Sequence, residues 1–550
     1  MESLGILTDG SISSSSDGDI SDFSDAGDGD GDSPDIGDDV QELRLGISEA
    51  HARTNYVKAG EEVIEEPERI TLAGNADLVE FDVNDAFEKI VNKLELPYEP
   101  SEFQRVAVNA VGSQKNLILV SPTGSGKMDV PFLSVLLLRE RTKNPKGICI
   151  VTQPLTSIMN EKIQSNICPV AVLSMTGQLK FSSSEGVGHG GGGCDDDDDA
   201  ASLSCDLEDL LDGSFPVLMG HPESFDSNLG QHILRELQKL ERLICVCIDE
   251  FHQGGEAHWR SFRPDMMKRS TGLRLYGVPG CPTISMTATA TSGEIAEVRN
   301  ALGLRVEPVI LTSSPVQDHI KFSIIRRPSN NFGLEGTVKK NGVRNPGLFN
   351  LLDRVFLHHY VKDLQQGVEP KRAIIFCRGN GVLGAIYSHV MKLTMNQYQD
   401  CRDAPFVMNH ASLLPPTEKV LKERSSEISL YLSSNKMLLG VNLSKIDIII
   451  FLRPYNHPSA MIQGGGRGGR KQENGMRRRV QVYQFFNSQD FTAMNKDMCP
   501  DLKRICQSEE CTRPLLKDFF VGNSEPQEDR EQIPDHCCHH CDLKLMQDVQ

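Results

Sequence analysis

Tryptophan occurs once among the 550 residues, and aromatic residues make up only 6% of the chain. No apolar run approaches the roughly 20 residues that a helix needs to cross lipid, so a membrane-spanning helix is excluded. The first residues (MESLGILTDGSISSSSDGD) lack the basic-then-apolar order of a secretory leader, and secretion is not expected. Without an oxidising destination, the fifteen cysteines are expected to be thiols or metal ligands rather than a disulfide framework. Basic residues are nearly missing from one end. Residues 1–50 hold fourteen acidic side chains against Arg44 alone, a local charge of −13, and the run Asp195–Asp199 adds −5. Of the total of −19, the rest of the chain therefore carries only −1. Acid confined in this way does not exclude a polyanionic ligand; the placement of the arginines decides that. With 39% apolar and 24% charged residues, the length is enough for two or three domains with proper cores.

Residues 1–75 are rich in Ser, Asp and Gly and poor in aromatics, a composition that buries too little apolar area to offset chain entropy. The segment is expected to be a disordered acidic tail, either simply solvated or a contact for protein partners or an internal mimic of DNA. From residue 84 the pattern turns globular, with apolar residues at helical spacing over Asp85–Leu96. Short apolar runs then alternate with helical stretches at Asn116–Val120, Gly147–Val151, Pro216–Met219, Leu243–Ile248 and Thr283–Met286. A second set follows at Arg372–Phe376, Ile446–Phe451 and Val480–Phe486. That alternation predicts parallel sheets covered by helices. Two α/β domains in tandem, over residues 84–310 and 311–492, are the economical arrangement, with Ser329–Pro346 as a polar linker or loop. Residues 182–205 break the rhythm. Their Gly190–Gly193 run follows no strand and precedes a block of aspartates, so a flexible surface insertion is expected rather than a phosphate loop.

The segment Asn116–Met128, NLILVSPTGSGKM, runs a strand into a Gly-rich turn and then a helix. Backbone amides of such a turn, with the helix N-terminus, make a concave site for phosphates. Ser121, Pro122, Thr123, Gly124, Ser125, Gly126, Lys127 and Met128 are the candidate nucleotide-binding residues, with Lys127 reaching the β and γ phosphates. Two positions depart from the usual pattern. Ser121 stands at the leading Gly, and Met128 replaces the Ser or Thr whose hydroxyl supplies a Mg²⁺ ligand. A thioether is a poor partner for a hard cation, yet Mg²⁺ keeps waters readily, so weaker metal positioning is expected rather than its loss. Downstream, Leu243–His252 (LICVCIDEFH) delivers Asp249 and Glu250 at a strand's C-terminal end, where open α/β sheets hold their ligands. Asp249 is the candidate Mg²⁺ ligand, and Glu250 the group that orients and deprotonates an attacking water.

The order of these segments resembles a superfamily 2 helicase, and within it the RecQ-like DNA helicases. Asp249–His252 resembles the DEAH box, with Phe251 in the Ala place. Ser285–Thr291 (SMTATAT) is similar to motif III, Thr152–Ile163 to motif Ia, and His221–Glu223 to motif Ib. Gln104 matches the glutamine that contacts adenine, while the aromatic-basic pair that usually precedes it is absent. Gln253–Pro264 (QGGEAHWRSFRP) resembles the aromatic-rich loop of the family, which makes Trp259, Phe262 and Arg263, together with Thr287 of motif III, the implied DNA contacts. Each base stacked on an aromatic ring gains roughly 1–3 kcal/mol; a buried Trp259 that anchors its loop is the competing reading. Gln463–Arg470 (QGGGRGGR) resembles motif VI, in which Gln463 senses nucleotide while Arg467 and Arg470 approach the γ-phosphate across the interdomain cleft. Arginine suits that task because it is always charged and forks around phosphate oxygens; an RGG-like RNA-binding tract is the alternative. Ala373–Arg378 resembles motif IV and Met408–Ala411 the family's HA segment. Motif V is thin: in Leu432–Asn442 only Gly440 and the hydroxyls of Ser433 and Ser434 survive, and Asn442 stands in for an acid.

Cys499, Cys506, Cys511, Cys537, Cys538 and Cys541 fall in the last 52 residues. Cys511–Phe520 and His536–Cys541 (HCCHHC) resemble the two halves of a RecQ zinc subdomain, placed over residues 495–545. Tetrahedral Zn²⁺ takes four thiolate or imidazole ligands. Cys511, Cys538 and Cys541 supply three, and the fourth is one of Cys537, His536, His540 and Cys506. Neither a winged-helix nor an HRDC module is expected to follow.

The resemblance implies an α/β protein of two tandem RecA-like parallel-sheet domains, a small zinc-binding helical subdomain and a disordered acidic N-terminal tail. It implies ATP, Mg²⁺ and Zn²⁺ as cofactors and single-stranded or forked DNA as partner. The implied activity is Mg-ATP hydrolysis coupled to 3′–5′ movement and unwinding, in DNA repair and recombination, in the nucleus with the cytoplasm as a second location. Two alternatives stay open: a catalytically impaired nucleic-acid-binding pseudo-helicase, favoured by Met128 and the thin motif V, and an RNA-dependent ATPase of the same superfamily.

Overall fold

The computed structural model describes residues 47–63, 70–74, 82–96, 98–154, 159, 167–181, 203–204, 206–251, 266–303, 307–328, 333–338, 344–395, 398, 403–410, 413, 417, 420–421, 423–434, 437, 443, 445–469, 476–492, 498–520 and 537–542. Two RecA-like sheets organise it. The first has ten strands in the order Ile70–Gly74, Val309–Ser313, Leu117–Val120, Thr283–Thr287, Leu243–Asp249, Ile148–Thr152, Val217–Gly220, Val170–Leu173, Leu179–Phe181 and Leu203–Ser204. Its middle is parallel and its edge pairings are antiparallel. The second sheet has six parallel strands, Ile320–Arg326, Val480–Phe486, Ile448–Phe451, Ala373–Phe376, Leu430–Ser433 and Phe406–Asn409.

Every residue of Leu117–Val120, Ile148–Thr152, Leu243–Asp249 and Thr283–Thr287 is buried, because helices cover both faces of the sheet. Helix Glu102–Gly112 begins at a reciprocal cap in which Ser101 and Gln104 satisfy each other's backbone amides. Thr291 closes motif III and caps helix Ser292–Ala301 in the same way, through Glu294. No described helix is long and apolar enough to cross a membrane.

Three expectations are corrected. The polar stretch Ser329–Pro346 is not the crossing between sheets: it follows Ile320–Arg326, already in the second sheet, and Gly336–Val338 pairs with Arg344–Pro346 as a hairpin. The chain passes between the sheets at residues 314–319. Nor does an unfolded tail extend to residue 75. Ser48 caps helix Glu49–Lys58, whose Ala52 and Tyr56 join the second core. Glu62–Val63 then pairs with Arg477–Arg478, and Ile70–Gly74 edges the first sheet beside Val309–Ser313. This helix is mostly polar, so only a surface supplied from far along the chain makes it fold. Residues 1–46 lie outside the described residues. Finally, the end of the 182–205 insertion returns as strand Leu203–Ser204, and the rest of it is outside the described residues.

Helices Pro500–Gln507 and Thr512–Phe519 pack through Leu502, Ile505, Leu515 and Leu516 on a separate apolar cluster of the second sheet, formed around Phe322, Ile449 and Phe451. The terminal turn sits against Phe322, which bridges to Cys538. Helix Glu49–Lys58 reaches the same turn: His51 Nε2 and Asp542 Oδ2 lie 2.8 Å apart, and Lys321 pairs with the same carboxylate.

Candidate nucleotide site and metal centre

Strand Leu117–Val120 delivers the Gly-rich turn, and helix Asp129–Arg141 leaves it. Gly124 and Gly126 take φ of +86° and +78°, a region open to glycine at little cost. At the leading position Ser121 turns inward: its hydroxyl bonds to that of Ser125 at 2.5 Å, and its N–H donates to the Thr287 carbonyl at 3.1 Å. Lys127 is buried. Met128 begins the helix without a side-chain cap, and its side chain belongs to the buried apolar core of the first sheet.

Strand Leu243–Asp249 ends at the paired carboxylates. Asp249 and Glu250 are both buried, and Glu250 has φ of +54°, a left-handed conformation that costs of order 1–3 kcal/mol in a non-glycine residue. Phe251 in the Ala place fills the core beneath the site. Burial, reinforced by the Glu250 carboxylate, pushes Asp249 up to about 7, against the pull of Lys127 and a hydrogen bond from Gln153. Asp249 Oδ2 accepts from Gln153 Nε2 at 2.5 Å, while the buried Oδ1 has no hydrogen-bond partner among the described residues. A buried carboxylate oxygen left in that state fits a hydrated cation. Asp249 is thus the residue that would hold Mg²⁺.

Other residues take places that the sequence did not predict. Thr287 is fully buried, and its hydroxyl lies 3.3 Å from Glu250 Oε2 and 3.2 Å from the Thr289 carbonyl, which sets it beside the acid pair. Gln104 accepts from Ser101 N–H at 2.9 Å and donates to the Gly126 carbonyl at 3.0 Å, so in this arrangement its amide holds the phosphate loop rather than facing a base. Tyr98 was not singled out, yet its hydroxyl donates to Asp129 Oδ2 at 2.8 Å, at the first turn of the helix leaving the loop. Gln153 was also missed, because a glutamine after an apolar run carries no signal until the neighbouring strand is known.

In the second sheet, helix Ser459–Gly465 carries Gln463, and Arg467 follows it; both are buried. The Ser434 N–H donates to the Asn409 carbonyl at 3.2 Å, joining the thin motif V to the HA segment. Trp259, Phe262, Arg263 and Arg470 lie outside the described residues, as do Gly440 and Asn442.

At the C-terminus the sulfurs of Cys511, Cys537, Cys538 and Cys541 all lie within 4.8 Å of one another. Cys538 Sγ is 3.6 Å from Cys511 Sγ and 3.6 Å from Cys541 Sγ, and Cys511 Sγ is 3.2 Å from Cys537 Sγ. Four thiolates about 2.3 Å from one Zn²⁺ stand about 3.8 Å apart, so the set fits the ion after a small adjustment in which these three separations open slightly. Cys537 completes the group; Cys506 is buried instead in the apolar cluster that packs helices Pro500–Gln507 and Thr512–Phe519.

Comparison with known proteins agrees with this geometry. Residues 101–298 match the family described as DEAD/DEAH box helicase. It is similar to RecQ-like DNA helicases: 24% identical over 277 residues to a putative ATP-dependent DNA helicase Q1 of Caenorhabditis elegans, covering 49% of this chain and 39% of that protein. The ATP-dependent DNA helicase Q-like 4B of Arabidopsis thaliana is 26% identical over 259 residues, covering 46% of this chain and 20% of that one. The chain thus spans well under half the length of these relatives. Among solved structures, the DUF1998 helicase MrfA bound to DNA aligns with a TM-score of 0.51 at 14% identity, over 82% of this chain and 54% of that one. That likeness concerns the fold.

Proposed function

We propose that this protein is an ATP-dependent DNA helicase or translocase of RecQ type, moving 3′–5′ on single-stranded DNA. The observation that carries the reading is the buried Asp249–Glu250 pair at a strand end, electrostatically coupled to Lys127, with one Asp249 oxygen left unpartnered. Lys127 and the amides of the loop hold the β and γ phosphates. Glu250, held by Thr287, accepts the proton of the attacking water. Bound Mg²⁺ supplies charge neutralisation at the phosphates. Arg467 approaches the transferred phosphate from the second sheet and, with the charge of Arg470, stabilises it. Because Thr287 links Glu250 to motif III, closing and opening of the cleft are coupled to the acid pair. Contacts to the DNA backbone dominate affinity, which makes binding salt-dependent and largely sequence-blind. The four-cysteine cluster takes Zn²⁺ as a structural ion, and nuclear residence goes with this reading.

Buried Met128 favours a second reading, a nucleic-acid-binding protein without turnover. Mg²⁺-ATPase rates with no polymer, single-stranded DNA and single-stranded RNA separate these readings, beside Lys127→Ala and Glu250→Gln. DNA stimulation abolished by both substitutions supports the motor; greater stimulation by RNA makes it an RNA-dependent ATPase. A flat rate with DNA binding retained makes it a binding module.

A further inference from the structure

Gln153 follows strand Ile148–Thr152, in which Thr152 lies opposite Ile248 of the neighbouring parallel strand. That register sets Gln153 beside Asp249, and its Nε2 reaches Asp249 Oδ2 at 2.5 Å. The residue is fully buried and its main chain is fixed from the other side. Its N–H donates to the Gly220 carbonyl at 3.0 Å, and its own carbonyl accepts from His221 Nδ1 at 2.8 Å. An amide donor on one carboxylate oxygen fixes the plane of the group, and the buried Oδ1 is left without a hydrogen-bond partner among the described residues.

We propose that Gln153 is a positioning residue for Asp249: it holds Oδ2 so that Oδ1 meets the hydrated Mg²⁺ of a bound nucleotide, and it ties that carboxylate to the His221–Glu223 segment. The inference rests on the ATPase reading above. Its weight comes from Met128. With no hydroxyl at that position, orientation of the cation by the protein falls largely on Asp249. Partners that orient a metal's ligands typically change metal affinity 10–100-fold when removed.

The test uses the full chain and a fluorescent non-hydrolysable ATP analogue, with binding followed as Mg²⁺ is titrated and again in EDTA. Gln153→Met keeps the volume and loses the donor; Gln153→Glu keeps the shape and sets an acceptor against Asp249. The first is expected to raise the Mg²⁺ concentration for half-maximal binding about tenfold, and the second to raise it further, with binding in EDTA unchanged in both. A role in packing alone predicts no shift for Gln153→Met. Wild-type Mg²⁺ dependence in whichever variants fold overturns the inference and leaves the ATPase reading standing. A wild-type chain whose nucleotide binding ignores Mg²⁺ overturns that reading, and this inference with it.

Discussion

Gly466 lies against Thr123: a β-carbon placed on Gly466 would stand 3.0 Å from the Thr123 β-carbon. One residue immediately precedes Arg467 at the end of helix Ser459–Gly465; the other belongs to the phosphate loop. The two sheets therefore meet where nucleotide is expected to sit, and the lack of a side chain permits the approach. Gly466→Val is expected to wedge the cleft and lower kcat at least tenfold, since displacements near 1 Å can cost about 100-fold. Nucleotide binding and Tm should hold. Unchanged turnover would show that this contact is no part of the working state.

Met128→Thr tests whether a missing hydroxyl limits the metal site. Restoring it should lower the Mg²⁺ needed for half-maximal nucleotide binding, read from the same titration. The exchange also removes a buried apolar side chain, at about 2–3 kcal/mol. A fall in Tm with no gain in Mg²⁺ affinity would assign Met128 to packing alone.

Where the N-terminus is cut should decide the outcome of truncation. Removing residues 1–46 takes away most of the acidic charge and is expected to tighten binding to single-stranded DNA at low salt with Tm unchanged. Cutting at residue 75 also removes helix Glu49–Lys58, in which the buried Tyr56 donates to Asp363 Oδ2 at 2.8 Å. That deletion should destabilise the second sheet, and Tyr56→Ala alone should cost about 3 kcal/mol or more in denaturant unfolding.

Zinc analysis of gently purified protein is expected to give about one ion per chain, and chelation to lower Tm. Cys537→Ser should lose the ion, while Cys506→Ser should keep it, because only the former lies in the four-sulfur cluster. Retention by Cys537→Ser would reopen His536 or His540 as the fourth ligand.

Acid stability should report on His319. Its Nε2 is buried without a partner among the described residues, and burial, with Arg477 and Arg513 nearby, lowers its pKa from 6.5 to about 3. A lowered folded-state pKa means that the unfolded chain takes up the proton first. The stability this group contributes is therefore whole above pH 6.5 and drains as pH falls toward 3. At about 1.4 kcal/mol per pH unit, the loss between pH 6.5 and pH 5 is about 2 kcal/mol. His319→Gln should flatten that slope; identical slopes would place the acid sensitivity elsewhere.

Local pattern made much of this legible. Strands such as Leu117–Val120 and Leu243–Asp249 are continuous apolar runs because both their faces are covered, and their ends announce the phosphate loop and the acid pair. Val170–Leu173 and Leu430–Ser433 were missed, because their strand character depends on the neighbours they pair with. Helix Glu49–Lys58 was hidden for a related reason: its stability comes from the second core, more than 250 residues away in sequence.

The sequence by itself determined the chemistry: a lysine in a Gly-rich turn, paired acids at a strand end, arginines after a helix and cysteines gathered at one end. Each depends on residue type and short-range spacing, which a chain carries in any conformation. Only the tertiary structure decided which groups touch. It turned Thr287 toward Glu250, set Gln153 on Asp249, chose Cys537 over Cys506 and brought Gly466 to Thr123. Those contacts depend on strand register and on how two sheets meet, quantities fixed by packing between segments far apart in the chain.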